Sequence, residues 1–228
     1  MHQIGQSILQ HLFIGYLKLL EKTVTIEWAE GPNSEGSSEN NCGSSQIFGF
    51  WHEDSFFMNL VLKGLTGHTA PVDVIVTADT RGDYIQSMIE RCGGKALRVP
   101  DGFASFRALK DIMRKSYEET RSLAVALDGP LGPRHEPKKL AFYLSEQSHE
   151  EFVGVSISYS SKIRIRKRWD KYVIPIPFST VTVAVHNYGE VDKNHIPSLP
   201  VCANTSECGI LIKEMAKMPK GVKTLRQI

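Results

Sequence analysis

The sequence predicts an α/β fold with a mostly parallel central sheet flanked by helices. From residue 46 onward, short apolar runs that suit buried strands take turns with segments of helical periodicity, an alternation typical of parallel sheets. The chain has 228 residues, enough to bury the core of one domain. Its 41% hydrophobic and 23% charged residues are close to the globular average and exclude collagen-like, disordered and all-membrane classes.

An N-terminal amphipathic helix is predicted before this alternation. Apolar side chains recur at the spacing of one helix face, at Ile4, Ile8, Leu12, Tyr16 and Leu20. The apolar stretch 12–20 contains Lys18 and has about half of the ~20 residues that a membrane span needs. Two interpretations stay open: a helix packed on the core, or a helix whose apolar face also lies in a membrane interface.

The chain divides into three predicted units. Residues 1–30 hold the amphipathic helix and a short strand, residues 31–45 a flexible loop rich in Gly, Ser, Asn and Glu, and residues 46–228 the α/β domain. Strands are predicted at 23–28, 47–51, 72–78, 95–99, 122–128, 152–159 and 180–188. Helices are predicted at 83–92, 103–118, 137–147 and 207–218.

Charge excludes a protein that binds nucleic acid over its whole surface. Lys and Arg total 27 against 25 Asp and Glu, a net charge of +2, so a basic site must be local. The main candidate is the run 161–171 (SKIRIRKRWDK). It is either a solvated edge strand whose charges oppose aggregation or a patch that faces anionic head groups or phosphates.

The cysteines indicate a reducing compartment. The chain has four of them, none in a CxxC pair, and it is too large to need disulfides for stability. We therefore expect reduced thiols in the cytoplasm.

The first polar cluster follows the strand 47–51, at the strand exits where ligands gather in open α/β sheets. His52 stands there with Glu53 and Asp54 beside it. A histidine oriented by a carboxylate can serve as a general base. The alternative is a core histidine satisfied by a backbone carbonyl.

The second cluster is the turn 128–134 (DGPLGPR) after the strand 122–128. Two glycines and two prolines make it rigid, so backbone N–H groups can approach a ligand while Asp128 and Arg134 supply charge of both signs. A tight connector without a ligand is the alternative.

The third cluster closes the strand 95–99 before the helix that begins near Phe103. An arginine beside a helix N-terminus, here Arg98, is a natural anion site. The turn 77–83 (TADTRGD) is similar, with Asp83 a candidate cap and Arg81 a candidate anion ligand. The sequence has no GxSxG, GxxxxGKS or GxGxxG motif, so serine hydrolysis and nucleotide hydrolysis lose support.

Taken in order, these motifs resemble the lysophospholipid acyltransferase superfamily (glycerolipid acyltransferase-like), in its branch of short uncharacterised bacterial proteins. That branch has a Trp-His after its first core strand, matched by Trp51-His52, and an Asp-Gly-Pro-x-Gly-Pro-Arg motif, matched in full by 128–134. The resemblance runs from about residue 47 to residue 186. Looser matches are the turn 77–83, Arg98 with Ala108 and Leu109, Trp169-Asp170-Lys171 and the Ile-Pro-x-Pro-Phe-Ser of 174–179.

The resemblance implies an enzyme that moves a fatty acyl group from acyl-CoA or acyl carrier protein to a lysophospholipid or related lipid hydroxyl, with no cofactor or metal. In the superfamily a histidine, followed five residues later by an aspartate, deprotonates the acceptor hydroxyl. His52 matches the histidine, whereas Phe57 stands at the place of the aspartate. Asp54 and Asp83 are the options for the missing carboxylate, since Glu53 would point elsewhere in an extended segment.

The resemblance also implies binding residues and partners. The substrate-binding set is Arg98, Asp128, Gly129, Pro130, Gly132 and Arg134. Arg98 or Arg134 would hold the phosphate or head group of the acceptor. The expected partners are the lipid acceptor, the acyl carrier and a membrane surface, without nucleic acid, and the expected location is cytoplasmic, peripheral on the inner face of the membrane.

Two alternatives to this function stay open. The first is a catalytically inactive lipid- or anion-binding protein on the same fold, suggested by the absence of aspartate at position 57. The second is a transferase that acts on a sugar-linked or lipid A-like acceptor.

Overall fold

The computed structural model describes residues 2–30, 44–65, 69–77, 93–99 and 106–201, with Gln86, Ile89 and Glu90. Its helices are α1 (His2–Thr23), α2 (Ser55–Leu65), α3 (Phe106–Glu118) and α4 (Leu140–Ser148), and a short 3₁₀ helix spans His52–Asp54. Its strands are β1 (Thr25–Glu30), β2 (Ile47–Phe50), β3 (Val72–Thr77), β4 (Ala96–Val99), β5 (Ser122–Ala126), β6 (Phe152–Tyr159), β7 (Lys162–Arg164), β8 (Val173–Pro175) and β9 (Thr180–Asn187).

The predicted α/β class with a mostly parallel sheet is confirmed. Seven strands form one sheet in the order β1-β9-β6-β2-β5-β3-β4. Neighbouring strands run parallel except β6 and β9, which are antiparallel. β2 lies in the middle of the sheet with all four of its residues buried, as expected for a parallel strand covered on both faces.

The predicted strands of the central sheet differ from the observed ones by at most two residues at either end. The predicted helix 137–147 begins later, at Leu140, and the N–H of Lys138 before it donates to the carbonyl of Leu127 (2.7 Å). Within the predicted helix 83–92, the described residues Gln86, Ile89 and Glu90 are helical. The predicted helix 207–218 and residues 31–43 of the predicted loop lie outside the described residues.

Helix α2 has no counterpart among the predicted helices. All side chains from Phe56 to Leu62 are buried, so this segment lacks the polar face that gives helical periodicity in a sequence.

Helix α1 packs on the core with its second half. Leu17 and Leu20 are buried, and the ring of Tyr16 lies 6.0 Å from the ring of Phe56. The hydroxyl of Tyr16 also donates to the carbonyl of Pro175 in β8 (2.8 Å). The interpretation of α1 as a core helix therefore holds for this half, while Leu12 and Leu19 stay exposed.

The basic run 161–171 does not lie on an edge of the central sheet. Its β7 pairs with β8 in a separate two-stranded antiparallel sheet, with Ile163 opposite Ile174. The segment 160–179 therefore forms a hairpin on the face of the central sheet that carries α1 and α2, since Val173 and Ile174 pack in the core cluster of those helices.

Candidate active site

Two predicted clusters meet at the carboxyl ends of β2 and β5. These strands are parallel neighbours with Phe50 opposite Ala126, so residues just beyond them emerge side by side. The backbone N–H of His52 donates to Oδ1 of Asp128 (2.9 Å), and the N–H of His135 donates to Oδ2 (3.2 Å). Asp128 is fully buried, and its carboxylate holds the turn 128–134 against the start of the 3₁₀ helix.

The imidazole of His52 faces a carboxylate from the hairpin. Its Nε2 lies 3.8 Å from Oδ2 of Asp170, and the His52 side chain is 25% exposed while that of Asp170 is 0% exposed. Nδ1 of His52 is buried, so Nε2 is the ring nitrogen that a substrate can reach. The ring of Trp169 lies beside the imidazole, with 5.4 Å between centroids.

Asp170 is fixed by its neighbours in the hairpin loop. Arg168 donates to both oxygens of its carboxylate (2.9 and 2.6 Å), and the N–H of Tyr172 donates to Oδ1 (3.2 Å). Burial raises the pKa of Asp170, but the hydrogen bonds and charge of Arg168, with the charge of His52, outweigh it and lower the pKa below its ordinary value. The carboxylate is therefore ionised near neutral pH and can stabilise an imidazolium.

Asp54, one of the two expected partners of His52, lies in the core. Its Oδ1 accepts a hydrogen bond from the hydroxyl of Tyr159 (2.8 Å). Burial, together with the neighbouring charge of Glu53, raises the pKa of Asp54 well above its ordinary value. Among the described carboxylates, Asp170 is the one within ion-pair distance of His52. Asp83, the other expected partner, lies outside the described residues.

The segment after Trp51 is not extended, contrary to the assumption used to set Glu53 aside. Residues 52–54 form a 3₁₀ helix, and Glu53 points into a cluster of cations. Its Oε2 accepts from Nε and Nη2 of Arg134 (3.1 and 2.6 Å) and from Nη1 of Arg164 (3.1 Å), while Nε2 of His135 lies 2.9 Å from Oε1.

Two arginine side chains contact the carboxylate of Glu53, the residue that follows His52. Burial raises the pKa of Glu53, but the hydrogen bonds from His135 and Arg134 lower it further, so the net shift is downward and the group is ionised. One carboxylate thus faces two guanidinium groups, and the side chains of Arg134 and Arg164 both remain partly exposed. This imbalance favours an anionic ligand at the cluster.

The glycines of the turn 128–134 permit its close approach to the hairpin. Gly129 and Gly132 have positive φ angles of 65° and 71°, which suit glycine. A Cβ on Gly132 would lie 2.5 Å from Cε3 of Trp169, so only glycine lets the turn lie against that ring. Pro130 is half-buried, and Leu131 is 87% exposed at the outermost point of the turn.

The structure does not bring Arg98 to this cluster. Arg98 lies on β4, the edge strand of the sheet, where its guanidinium donates to Oε1 of Gln86 (3.2 and 2.9 Å). β4 is three strand positions away from β2, which at ~4.8 Å per strand is about 14 Å.

Comparison with known proteins leaves the family open. No family model matches the chain. The chain is similar to "Uncharacterized protein RP090" of Rickettsia prowazekii (strain Madrid E), with 26% identity over 154 residues that cover 66% of this chain and 68% of that protein.

The described residues contain neither a candidate metal site nor a candidate membrane span. In those residues, no three His, Cys, Asp or Glu side chains are grouped so that they could hold a metal ion. None of the helices there has the length and apolar character needed to cross a bilayer.

The sequence reasoning missed Asp170 as the partner of His52. In the sequence, Asp170 belongs to the Trp169-Asp170-Lys171 match, to which no catalytic role is assigned. One signal marks Asp170 as unusual, without showing that it pairs with His52: it is the single acidic residue in the basic run 161–171. A single carboxylate among six basic residues indicates a specific ion pair or a role in a site.

Proposed function

We propose that the protein is an acyltransferase that moves a fatty acyl group from acyl-CoA or acyl carrier protein to the hydroxyl of a lysophospholipid or related lipid. The observation that carries the proposal is the His52–Asp170 pair at the carboxyl end of the sheet, next to the Asp-Gly-Pro-x-Gly-Pro-Arg turn. We further propose that the protein works in the cytoplasm, peripherally on the inner face of the membrane, without a cofactor.

His52 acts as general base in the proposed reaction. Its Nε2 accepts the proton of the acceptor hydroxyl while the hydroxyl oxygen attacks the thioester carbonyl, a contribution of ~100- to 10,000-fold in rate. The C–O bond forms, the C–S bond breaks, and the proton passes from the imidazolium to the thiolate that leaves. The charge of Asp170 stabilises the imidazolium between these two transfers. At 3.8 Å the carboxylate is within ion-pair distance of Nε2, so its charge acts directly on the imidazolium.

The Glu53 cluster supports a phosphate-bearing acceptor. Arg134 and Arg164 approach Glu53 from the turn and from the hairpin, and Glu53 is the residue that follows His52 in the chain. A lysophospholipid carries an anionic phosphate close to its reactive hydroxyl, which matches this arrangement.

A transfer assay tests the proposal. Labelled acyl-CoA and acyl carrier protein are offered with a panel of lysophospholipids in mixed micelles, to the wild type and to His52→Gln. We expect turnover by the wild type and none above background by the variant. Equal turnover by both would sink the role of His52.

The alternative of an inactive binder on the same fold has one observation in its favour. Phe57, which stands where the superfamily has aspartate, is fully buried with its ring 5.9 Å from that of Tyr159, so it contributes no polar group. Lipid binding by the wild type without turnover of any donor would favour this alternative. Turnover only on sugar-linked acceptors would instead favour the glycolipid transferase.

A further inference from the structure

The hairpin 160–179 presents one face to the site and the other to solvent. Alternate side chains of a strand point to opposite faces. Arg164 points inward to Glu53 (3.1 Å), and Lys162 lies over the ring of Tyr159 (5.6 Å). Ile163 and Ile165, at the alternate positions, point outward and are 54% and 37% exposed.

The outward face of the hairpin is apolar over most of its length. Ile174 lies directly opposite Ile163 but is half-buried against the core cluster, so the exposed apolar side chains of the hairpin are Ile163, Ile165 and Phe178. Phe178, at the base of the hairpin, is 85% exposed although its φ angle of 63° disfavours any residue but glycine. Single exposed apolar side chains are common, but a group of them on one short element marks an interaction surface.

Three cations border this apolar face. Arg166, Lys167 and Lys171 are exposed around the end of the hairpin. In the part of the chain that the structure describes, none of their side chains has an ion pair or hydrogen bond with an acidic residue. The hairpin surface is defined by the apolar residues Ile163, Ile165 and Phe178 and the cations Arg166, Lys167 and Lys171.

We propose that the hairpin surface docks on a bilayer that contains anionic phospholipids. The clustered cations would contact the anionic head groups. The adjacent apolar side chains would insert at the boundary between the head groups and the acyl chains. Nucleic acid would satisfy the cations but leave the isoleucines in water, so charge and apolar exposure together favour lipid.

The docking places the candidate site at the lipid surface. The loop of the same hairpin carries Trp169 and Asp170, which flank His52. In this respect the inference rests on the proposed function: the site would lie under the docked hairpin, close to a lipid acceptor in the bilayer. Binding to lipid itself does not require that the protein be an enzyme.

Vesicle binding by the full chain tests the docking. Vesicles of phosphatidylcholine alone are compared with vesicles of phosphatidylcholine and phosphatidylglycerol at a ratio of about three to one. We expect binding to the anionic vesicles that weakens with salt. Arg166→Gln, Lys167→Gln and Lys171→Gln combined should weaken it about 100-fold, because each cation near an anionic surface contributes about fivefold. Ile163→Ser with Ile165→Ser should weaken it about tenfold.

A matched control carries the same change of charge on the other face of the sheet. Lys110→Gln, Arg114→Gln and Lys115→Gln remove three cations from α3, which packs on β4 and α4 in the core cluster on the other face of the sheet from the hairpin. We expect this variant to bind vesicles like the wild type. Because all substituted side chains are exposed or partly exposed, unchanged thermal unfolding should show that each variant folds.

The outcomes separate docking from catalysis. The docking would be overturned if both hairpin variants bound anionic vesicles as strongly as the wild type, or if the α3 control lost as much vesicle binding as they do. Binding of a labelled RNA oligonucleotide without binding of anionic vesicles would also overturn it. Hairpin-dependent binding without acyl transfer would support the docking and count against the proposed function. Transfer to a water-soluble short-chain acceptor without any vesicle binding would do the reverse.

Discussion

Nε2 of His52 lies 3.8 Å from Oδ2 of Asp170, and the two residues belong to separate parts of the fold. His52 follows β2 in the middle of the sheet, whereas Asp170 belongs to the loop of the β7–β8 hairpin. The pair therefore exists only while the hairpin packs on the start of α2. Any ligand or surface that displaces the hairpin also alters the candidate base.

Asp170→Asn should lower the rate of acyl transfer by about 100-fold. The amide keeps the shape of the carboxylate but cannot stabilise an imidazolium by its charge, and an opposite charge at this distance shifts a pKa by about 1–3 units, equivalent to roughly 10- to 1,000-fold. The acidic limb of the pH–rate profile should also move to lower pH, because a nearby negative charge favours the protonated imidazole. Steady-state kinetics over a range of pH measures both effects.

Asp192→Asn is the matched control for that substitution. Asp192 also pairs with a histidine, His195 (2.8 Å), but both side chains are exposed and distant in sequence from His52. The control should keep the wild-type rate and pH profile. If it falls as far as Asp170→Asn, the effect is not specific to the candidate site.

Gly132→Ala should destabilise the protein and slow transfer. A side chain at a positive φ costs ~1–2 kcal/mol, and the new Cβ would clash with Trp169, adding roughly 1–3 kcal/mol. Gly189→Ala has nearly the same φ, 69° against 71°, but its Cβ would meet no atom within 4 Å. Denaturant unfolding should show the smaller loss in Gly189→Ala, and only Gly132→Ala should lower activity. Equal losses would argue against the contact with Trp169.

Asp54→Asn should change how stability depends on pH. Because the pKa of Asp54 is raised in the folded state, the folded protein keeps a proton that the unfolded chain loses as pH rises above its ordinary pKa of 3.8. The wild type therefore loses stability from that pH upward until the pH passes the folded pKa, by at most about 1.4 kcal/mol per pH unit. Asn does not titrate, so the variant should not lose this stability. The difference in free energy of unfolding, variant minus wild type, should therefore increase as the pH rises through this window.

Urea unfolding at a series of pH values from about 4 to 8 measures this difference. Tyr159→Phe is the companion variant, since it removes the hydrogen bond to Asp54 but keeps the carboxyl group. It should retain the pH dependence that Asp54→Asn loses. A stability difference between wild type and Asp54→Asn that stays constant with pH would contradict the raised pKa.

Phe178→Gly should stabilise the protein while weakening its binding to anionic vesicles. Glycine removes the cost of the positive φ, ~1–2 kcal/mol, and adds about 0.5–1 kcal/mol of chain entropy to the unfolded state. A net gain of roughly 0.5–1 kcal/mol is expected in thermal or denaturant unfolding. Phe178→Ala, which keeps the strained backbone, should weaken vesicle binding without the gain in stability. Unchanged vesicle binding in both variants would exclude Phe178 from the hairpin surface.

The central sheet was predictable because its strands are short apolar runs between turn residues. Phe152–Tyr159, buried along its whole length, matches the prediction at both ends. The gathering of His52 and Asp128 at strand exits was also predictable in kind, since parallel strands end on the same edge of a sheet.

Strand order was the missing information for the site. Arg98 stands at the end of a strand as His52 does, but the order β2-β5-β3-β4 separates them. Asp170 could not be assigned to His52 because the pairing depends on how the hairpin folds back over α2, a tertiary contact that no local pattern encodes. A uniformly buried helix such as α2 gives no periodic signal because it has no polar face.

The first strand of the sheet is paired to the last. β1 lies at the edge, where its neighbour in the described sheet is β9, from Thr25 opposite Thr180 to Glu30 opposite Val185. During synthesis at ~5–20 residues per second, β1 leaves the ribosome on the order of ten seconds before its partner exists. In that interval β1 has no described strand to pair with, and its backbone N–H and C=O groups are open to chaperones. Closure of the sheet by β9 ends this interval, which makes it a late step of biogenesis.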